Sequence, residues 1–378
     1  MKKYRVGILV IIIMIALQLL LPGILKLIEE KSKFASFLDN NFRLSDKVDR
    51  VVFDSFLNHI SRQSGYKIIF IGDSVVEGAG VKSDEDTIPA FFQKLCETNF
   101  PNRDIKVYNM AIQGNRVSDI YFSLEKINEH NAADLVIMNI NYAFFSDEMV
   151  KKVPIARPDI YADVMDAESA KILGIKYSSA EHFVVNNIIK HWNVYGMRED
   201  FSYLLFGMSP REKLRDTISK LMSGKKSEVE TSANTIEQNK TDKPWWLNKT
   251  YPTDKIKHWM EVFNIGTVDE TNRGYYFLKK ITSGIKKDNI QAVAFFTPMN
   301  KKMIEKYNLM KYGVNLQSNM DTIRNEFSQN IIPVFDYTSK IDSDNFYDLF
   351  HLIAPGNQHL AEILMNDIKP QIQKGVSQ

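Results

Sequence analysis

The stretch "YKIIFIGDSVVEGAGV" covers residues 66–81. Its apolar residues run without alternation up to Ile71, and the chain then turns abruptly into Gly72, Asp73 and Ser74. A strand that is apolar on both faces belongs inside a sheet covered by helices on either side, and such sheets are parallel. Four further short apolar runs read the same way, at residues 105–109, 135–140, 292–297 and 332–336. Segments with helical periodicity lie between and after them, at residues 88–96, 117–129, 274–286, 317–328 and 356–368. This alternation predicts an α/β fold, a five-stranded parallel sheet between layers of helices. Ser74 then lies just past the carboxyl end of the first strand, the edge of an open parallel sheet where sites form.

A serine hydroxyl is a weak nucleophile at neutral pH. It needs a base to take its proton, a group to orient that base, and donors for the developing oxyanion. The chain has seven histidines. His59 precedes the first strand and His130 ends a helix; His182, His191 and His258 fall between the third and fourth strands. His359 lies on the last helix and reads as a surface residue. His351 alone has a short-range acidic partner at a turn. The segment "NFYDLFHLIAPGNQHL", residues 345–360, places Asp348 three positions before it, just beyond the fifth strand. An Asp-x-x-His pair by itself reads equally well as a pair on a helix surface. Joined to Gly-Asp-Ser on the first strand of the same sheet, it reads as the acid and base of a triad with Ser74 as nucleophile. Asp73 is then a turn-shaping residue rather than the triad acid.

With these segments the chain resembles the SGNH/GDSL hydrolase family. "IFIGDSVVEGAG" (residues 69–80) is similar to its first block, with Ser74 at the nucleophile. "VYNMAIQGNRVSD" (residues 107–119) is similar to its second, with Asn109 closing the second strand and Gly114 at the glycine whose backbone N–H serves the oxyanion hole. "DLFHL" (residues 348–352) is similar to the last, with Asp348 and His351 completing the triad. The resemblance spans residues 67–145 and 287–370 and implies a flavodoxin-like three-layer α/β/α sandwich. It also implies an oxyanion hole built from the N–H groups of Ser74 and Gly114 and an asparagine amide. The family's third block is usually Gly-x-Asn-Asp, and here "DLVIMNINYAFFSDE" (residues 134–148) departs from it. Asn141 is the favoured donor and Asn139 the alternative. "FFTPMNKKMIEKY" (residues 295–307) resembles segments of membrane-anchored members that act on cell-envelope polymers, and it reads equally as strand-loop-helix packing around Pro298 and Asn300.

The amino terminus carries Lys2, Lys3 and Arg5, followed by an apolar stretch from Val6 to Leu25 broken only by Gln18, Pro22 and Gly23. Twenty helical residues span roughly 30 Å, about the hydrocarbon thickness of a bilayer. No small-residue cleavage triplet follows, so residues 1–26 are expected to be a retained signal-anchor helix, with the remainder outside the cytoplasm. Residues 27–60 read as a helical stalk, with Phe34, Phe37, Leu38, Phe42 and Leu44 on one face. The sheet domain is expected in two parts, 61–145 and 271–378, around an insertion at 146–270. Within the insertion, residues 223–244 are polar and read as a flexible loop, flanked by the aromatic "SYLLFGM" and "PWWLNKTYP".

Composition narrows the function. A net charge of +2 over 378 residues, with no basic patch interleaved with aromatics, gives no sign of nucleic-acid binding. The single cysteine, Cys96, excludes an internal disulfide and reads as a core thiol. No cofactor or metal is expected, because the histidines are scattered and "GAG" at 78–80 lacks the lysine of a phosphate loop. The leading expectation is a membrane-tethered extracytoplasmic serine esterase or O-acyltransferase acting on acyl esters of a cell-envelope or exported polysaccharide. Its partners would be the acyl donor, the glycan, the membrane and a membrane acyltransferase. A lipid or small-ester hydrolase and a catalytically idle scaffold of an export complex are the alternatives.

Overall fold

A computed structural model describes residues 50–146, 152–176, 243–247 and 251–377, together with residues 12, 15, 16, 19, 20, 43, 44, 48 and 178. The sheet contains β1 (Tyr66–Ile71), β2 (Ile105–Asn109), β3 (Leu135–Ile140), β4 (Ala292–Phe296) and β5 (Val334–Asp336), in the order β2-β1-β3-β4-β5. Every pairing is parallel, and Phe70 of β1 stands between Asn109 of β2 and Ile137 of β3. Chain direction across the sheet reverses beside β1, so the switch point lies between β1 and β3, as in flavodoxin-like sheets.

The helices of the described residues are α1 (Arg50–Arg62), α2 (Ser74–Glu77), α3 (Ile88–Asn99), α4 (Val117–Glu129), α5 (Ala167–Leu173), α6 (Thr253–Phe263), α7 (Arg273–Lys287), α8 (Lys301–Lys306), α9 (Leu316–Gln329) and α10 (Ala354–Val376). Helix α3 packs on α10, while α7 packs on α4 and α9. Right-handed crossovers put α3 on one face of this sheet and α4, α7 and α9 on the other, which gives three layers. Burial on both faces explains the lack of polar alternation: all six residues of β3 are buried, and its one polar residue, Asn139, is hydrogen-bonded. Threonine 87 starts α3 by accepting the Ala90 N–H on its hydroxyl, with Pro89 in the first turn.

Two of the boundaries that depart from the sequence reading do so for identifiable reasons. The last strand begins at Val334, not 332, because Pro333 has no N–H to give to a ladder. The last helix continues past 368 and through Pro370, because Ile372 extends the buried stripe of Leu360, Leu364, Met365 and Ile368.

The expected stalk is also different in its second half. Phe53, Phe56, Leu57 and Ile60 of α1 are fully buried, so residues 50–62 are a layer of the core rather than a spacer. Leu44 is buried too, while Phe34, Phe37, Leu38 and Phe42 lie outside the described residues. Helix α1 is tied to α4 through a buried cation. The Lys126 ammonium, 1% exposed, reaches Asp54 at 2.7 Å and Asp163 of the insertion at 2.9 Å. Burial lifts the Asp54 carboxyl to about 6 even with that lysine beside it. Removing only the cation strands two carboxylates, so Lys126→Ala should cost about 3–5 kcal/mol of stability. Denaturant unfolding of the full chain should show that loss at neutral pH and a smaller one as the pH falls below about 6.

Of the expected anchor at 1–26, the described positions 12, 15, 16, 19 and 20 are helical and exposed. Among the described residues, no helix is long and apolar enough to cross a membrane. The stretch 223–242 of the expected loop, and "SYLLFGM", lie outside the described residues. The described parts of the insertion are not detached from the domain: Ile160, Tyr161, Trp259 and Phe263 join the same core. Trp245 is 9% exposed and packs, whereas Trp246 is 46% exposed. Cys96 is buried, and burial pushes its thiol up to about 12, which suits an inert core residue.

Candidate active site

The turn after β1 is built by Asp73. Its Oδ1 accepts the Val75 N–H at 2.9 Å and so starts the single turn of α2. The same Oδ1 accepts the Asn139 amide at 2.8 Å, and Oδ2 accepts the Asn141 amide at 3.0 Å. Asn139 in turn accepts the Asp73 N–H at 3.0 Å and gives its second hydrogen to Thr297 at 3.1 Å. A buried polar lattice thus locks the ends of β1, β3 and β4 together, and Ser74 is presented from it, partly exposed.

Ser74 Oγ lies 2.8 Å from His351 Nε2, and His351 Nδ1 lies 2.8 Å from Asp348 Oδ1. A carboxylate only accepts, so neutral His351 carries its proton on Nδ1 and turns its Nε2 lone pair to the Ser74 hydroxyl. Asp348 Oδ1 also accepts the N–H groups of Phe350 at 3.1 Å and His351 at 3.0 Å, which fixes the loop around the histidine. The remaining oxygen, Oδ2, accepts from Lys255 Nζ at 2.8 Å. Burial pushes the Asp348 carboxyl up, but His351 and Lys255 outweigh it and hold the group well below the usual carboxylate range. Burial pushes His351 down, yet the Asp348 carboxylate against Nδ1 overcomes this and leaves the imidazole above its ordinary value, with Lys255 opposing.

The loop that carries the second-block residues is fitted to the same point. Asn109 Nδ2 donates to the Val76 carbonyl at 3.2 Å, and Asn115 Nδ2 to the Gly72 carbonyl at 3.0 Å. Gly114 has φ +83°, a conformation that favours glycine. Arg116 Nη1 donates to the Gly114 carbonyl at 2.8 Å and braces that conformation. Among the described residues, neither the Ser74 nor the Gly114 N–H has a hydrogen-bond acceptor.

The third-block alternatives separate clearly. Both amide hydrogens of Asn139 are engaged and the residue is fully buried, so it has no donor for an oxyanion. Asn141 has one hydrogen on Asp73 and its Oδ1 on the Ala143 N–H, and its second hydrogen is uncommitted among the described residues. Of the other histidines, His359 is exposed on α10, His258 is exposed on α6, and His130 contacts Asn58; His182 and His191 lie outside the described residues.

The sequence reading missed the supports. Asn300, fully buried, starts α8 by accepting the Met303 N–H at 3.1 Å, and its N–H donates to the Leu349 carbonyl at 2.9 Å. The motif around Pro298 and Asn300 therefore steadies the loop that carries Asp348. Asp119 accepts the N–H groups of Arg116 at 2.9 Å and Ala156 at 3.0 Å, and so joins the Gly114 loop to the start of the insertion. The glycine at position 80 is required by close approach. A Cβ there would lie 2.1 Å from the Leu352 carbonyl oxygen, one residue past His351. Gly80→Ala should therefore displace the histidine loop. A misplacement near 1 Å costs on the order of 100-fold in rate, so steady-state ester turnover should fall by about that factor while the chain stays folded.

No protein-family model matches the chain, and no curated protein matches it. Among solved structures it is similar to an acetyl xylan esterase, with 13% identity and a TM-score of 0.37 over 80% of this chain and 99% of the other. It is similar also to an acetylxylan esterase from Geobacillus stearothermophilus, with 12% identity and a TM-score of 0.35 over 81% and 94%. A third is an alpha/beta hydrolase enzyme from the metagenome of Lake Arreo, with 11% identity and a TM-score of 0.37 over 81% and 96%. At these identities and scores the likeness says nothing of activity or substrate, and the chemistry rests on the side-chain geometry.

Proposed function

We propose that this chain is a serine hydrolase or acyltransferase that acts on esters through an acyl-enzyme on Ser74. The observation that carries the reading is the unbroken relay from Asp348 through His351 to Ser74; among the described residues the N–H groups of Ser74 and Gly114 have no acceptor, which leaves them open to an oxyanion. His351 Nε2 takes the Ser74 proton as Oγ attacks the ester carbonyl. The oxyanion is received by the N–H groups of Ser74 and Gly114 and the second amide hydrogen of Asn141. The protonated His351 then passes its proton to the leaving alkoxide, and the steps run in reverse with water or a sugar hydroxyl as acceptor.

The finer reading is a membrane-tethered enzyme outside the cytoplasm, acting on acyl esters of a cell-envelope or exported polysaccharide. Ile12, Ile15, Leu19 and Leu20 support the tether: they are helical and 55–74% exposed, an apolar face that lipid would cover. A fluorophosphonate probe tests the core of the proposal. Intact mass of the full chain should show one adduct, mapped to Ser74, and a folded chain with no adduct would favour the idle scaffold. Transfer is tested by adding a glycan acceptor to an activated acetyl ester, and release of acetate alone, with no acylated glycan, rejects it.

A further inference from the structure

Lys255 belongs to α6, in the insertion, and lies 93 residues before the carboxylate it meets. Its ammonium sits 2.8 Å from Asp348 Oδ2, the oxygen that the histidine does not use. Three aromatic rings hold the ammonium there: Tyr251 at 5.2 Å, Trp259 at 5.6 Å and Tyr347 at 5.7 Å from their centroids. The Tyr251 hydroxyl donates to the Tyr347 carbonyl at 2.7 Å, so the cage is closed on the residue next to the triad acid. A flexible lysine side chain held by an ion pair and three π-faces has little freedom to leave.

We propose that Lys255 is a positioning residue of the triad, which occupies the second oxygen of Asp348, sets the basicity of His351 through that carboxylate, and couples the insertion to catalysis. The triad needs Asp348 to be negative enough to stabilise the imidazolium, yet not so strong a partner that His351 holds its proton when the leaving group needs it. A cation on the far oxygen withdraws part of that negative charge. Among the described residues, the groups that act on His351 are Ser74 and Asp73 from the turn after β1, Asp348 from its own loop, and Lys255 from α6. Lys255 is the sole cation among them. Deleting it leaves Asp348 and Asp73 unopposed, so the imidazolium becomes easier to form and harder to discharge. The proposal concerns the triad of the esterase reading, but its measurement does not need turnover.

The test compares Lys255→Met and Lys255→Arg in the full chain. NMR of the labelled histidine ring, assigned by the signal lost in His351→Gln, reads the His351 titration midpoint directly. Lys255→Met should raise that midpoint by roughly half a unit to one unit, as expected when a nearby charge is removed. Lys255→Arg keeps the charge and should leave the midpoint near that of the parent. The pH at which fluorophosphonate labelling reaches half its maximal rate should move upward in parallel. An unmoved midpoint in Lys255→Met, or equal shifts in the Met and Arg variants, overturns the proposal. Should the Met variant not fold, Lys255→Gln carries the same comparison with a polar side chain. A parent chain that never labels overturns the esterase reading, whereas the titration still decides the role of Lys255.

Discussion

Ser74→Ala in the full chain is expected to lower ester turnover by about 10⁶-fold, the loss seen when the nucleophile of such a triad is removed. In the proposed mechanism the residue contributes the attacking atom, and among the described residues no other hydroxyl or thiol lies against His351 Nε2. Cys96 is buried in the core and cannot substitute. Stability should change little, because only one hydrogen bond at a partly exposed position is lost, worth about 1 kcal/mol. The acyl-enzyme seen by intact mass with an activated acetyl ester should vanish, while the unfolding curve stays close to that of the parent. A variant that retains activity within tenfold would place the nucleophile elsewhere.

The pH dependence of the parent follows from the same pair. Catalysis needs neutral His351, so kcat/KM should rise with pH through a midpoint above the ordinary histidine value of 6.5. Stability runs the other way. A histidine whose value is raised on folding stabilises the native state fully below 6.5, and that contribution is lost as the pH rises through the folded value. Asp348 is depressed, so its contribution is present above 3.8 and is lost as the pH falls toward its folded value. The pair thus stabilises most at mildly acidic pH, below the range in which the site is most active.

The strands, the position of Ser74 past the carboxyl end of the first of them and the Asp348/His351 turn were readable in the chain because each is a local pattern. A run such as residues 135–138 is apolar without alternation, since both faces of β3 are covered. Gly-Asp-Ser and Asp-x-x-His carry short spacings that a turn imposes. The supports had no such signal. Lys126 looks like any surface lysine on an amphipathic helix, and only the approach of Asp54 and Asp163 from other segments makes it a buried cation. Lys255 falls in "TDKIKHWMEVF", whose charges read as a solvated face, until folding brings Asp348 to it. The last helical pattern ends at 368, and packing of Ile372 carries the helix on through Pro370. The choice between Asn139 and Asn141 needed the full hydrogen-bond ledger of Asp73, which periodicity does not encode.

Asp348→Asn should reduce kcat/KM by up to about 10⁴-fold, the loss known for an Asp-to-Asn change at the acid of such a triad. The route to that loss differs here from a simple change of tautomer. Oδ1 faces three donors, the N–H groups of Phe350 and His351 and the His351 Nδ1–H. An asparagine therefore keeps its carbonyl oxygen toward them, and the histidine tautomer is preserved. Its NH₂ group is then turned against the Lys255 ammonium, where the carboxylate accepted at 2.8 Å. The reverse orientation faces three donors with another donor and is worse. The variant thus loses the negative charge and also acquires a donor-donor conflict with a cation caged by three rings. Without the carboxylate that overcomes burial, and with Lys255 still opposing, His351 should titrate lower than in the parent, the opposite direction to Lys255→Met. Combining Asp348→Asn with Lys255→Met removes the conflict but not the charge loss, so the double variant should be less impaired than the two single effects multiplied. A double-mutant cycle on kcat/KM, with the His351 midpoint measured in parallel, checks both statements. Strictly multiplicative losses would mean that Lys255 and Asp348 act independently despite their contact.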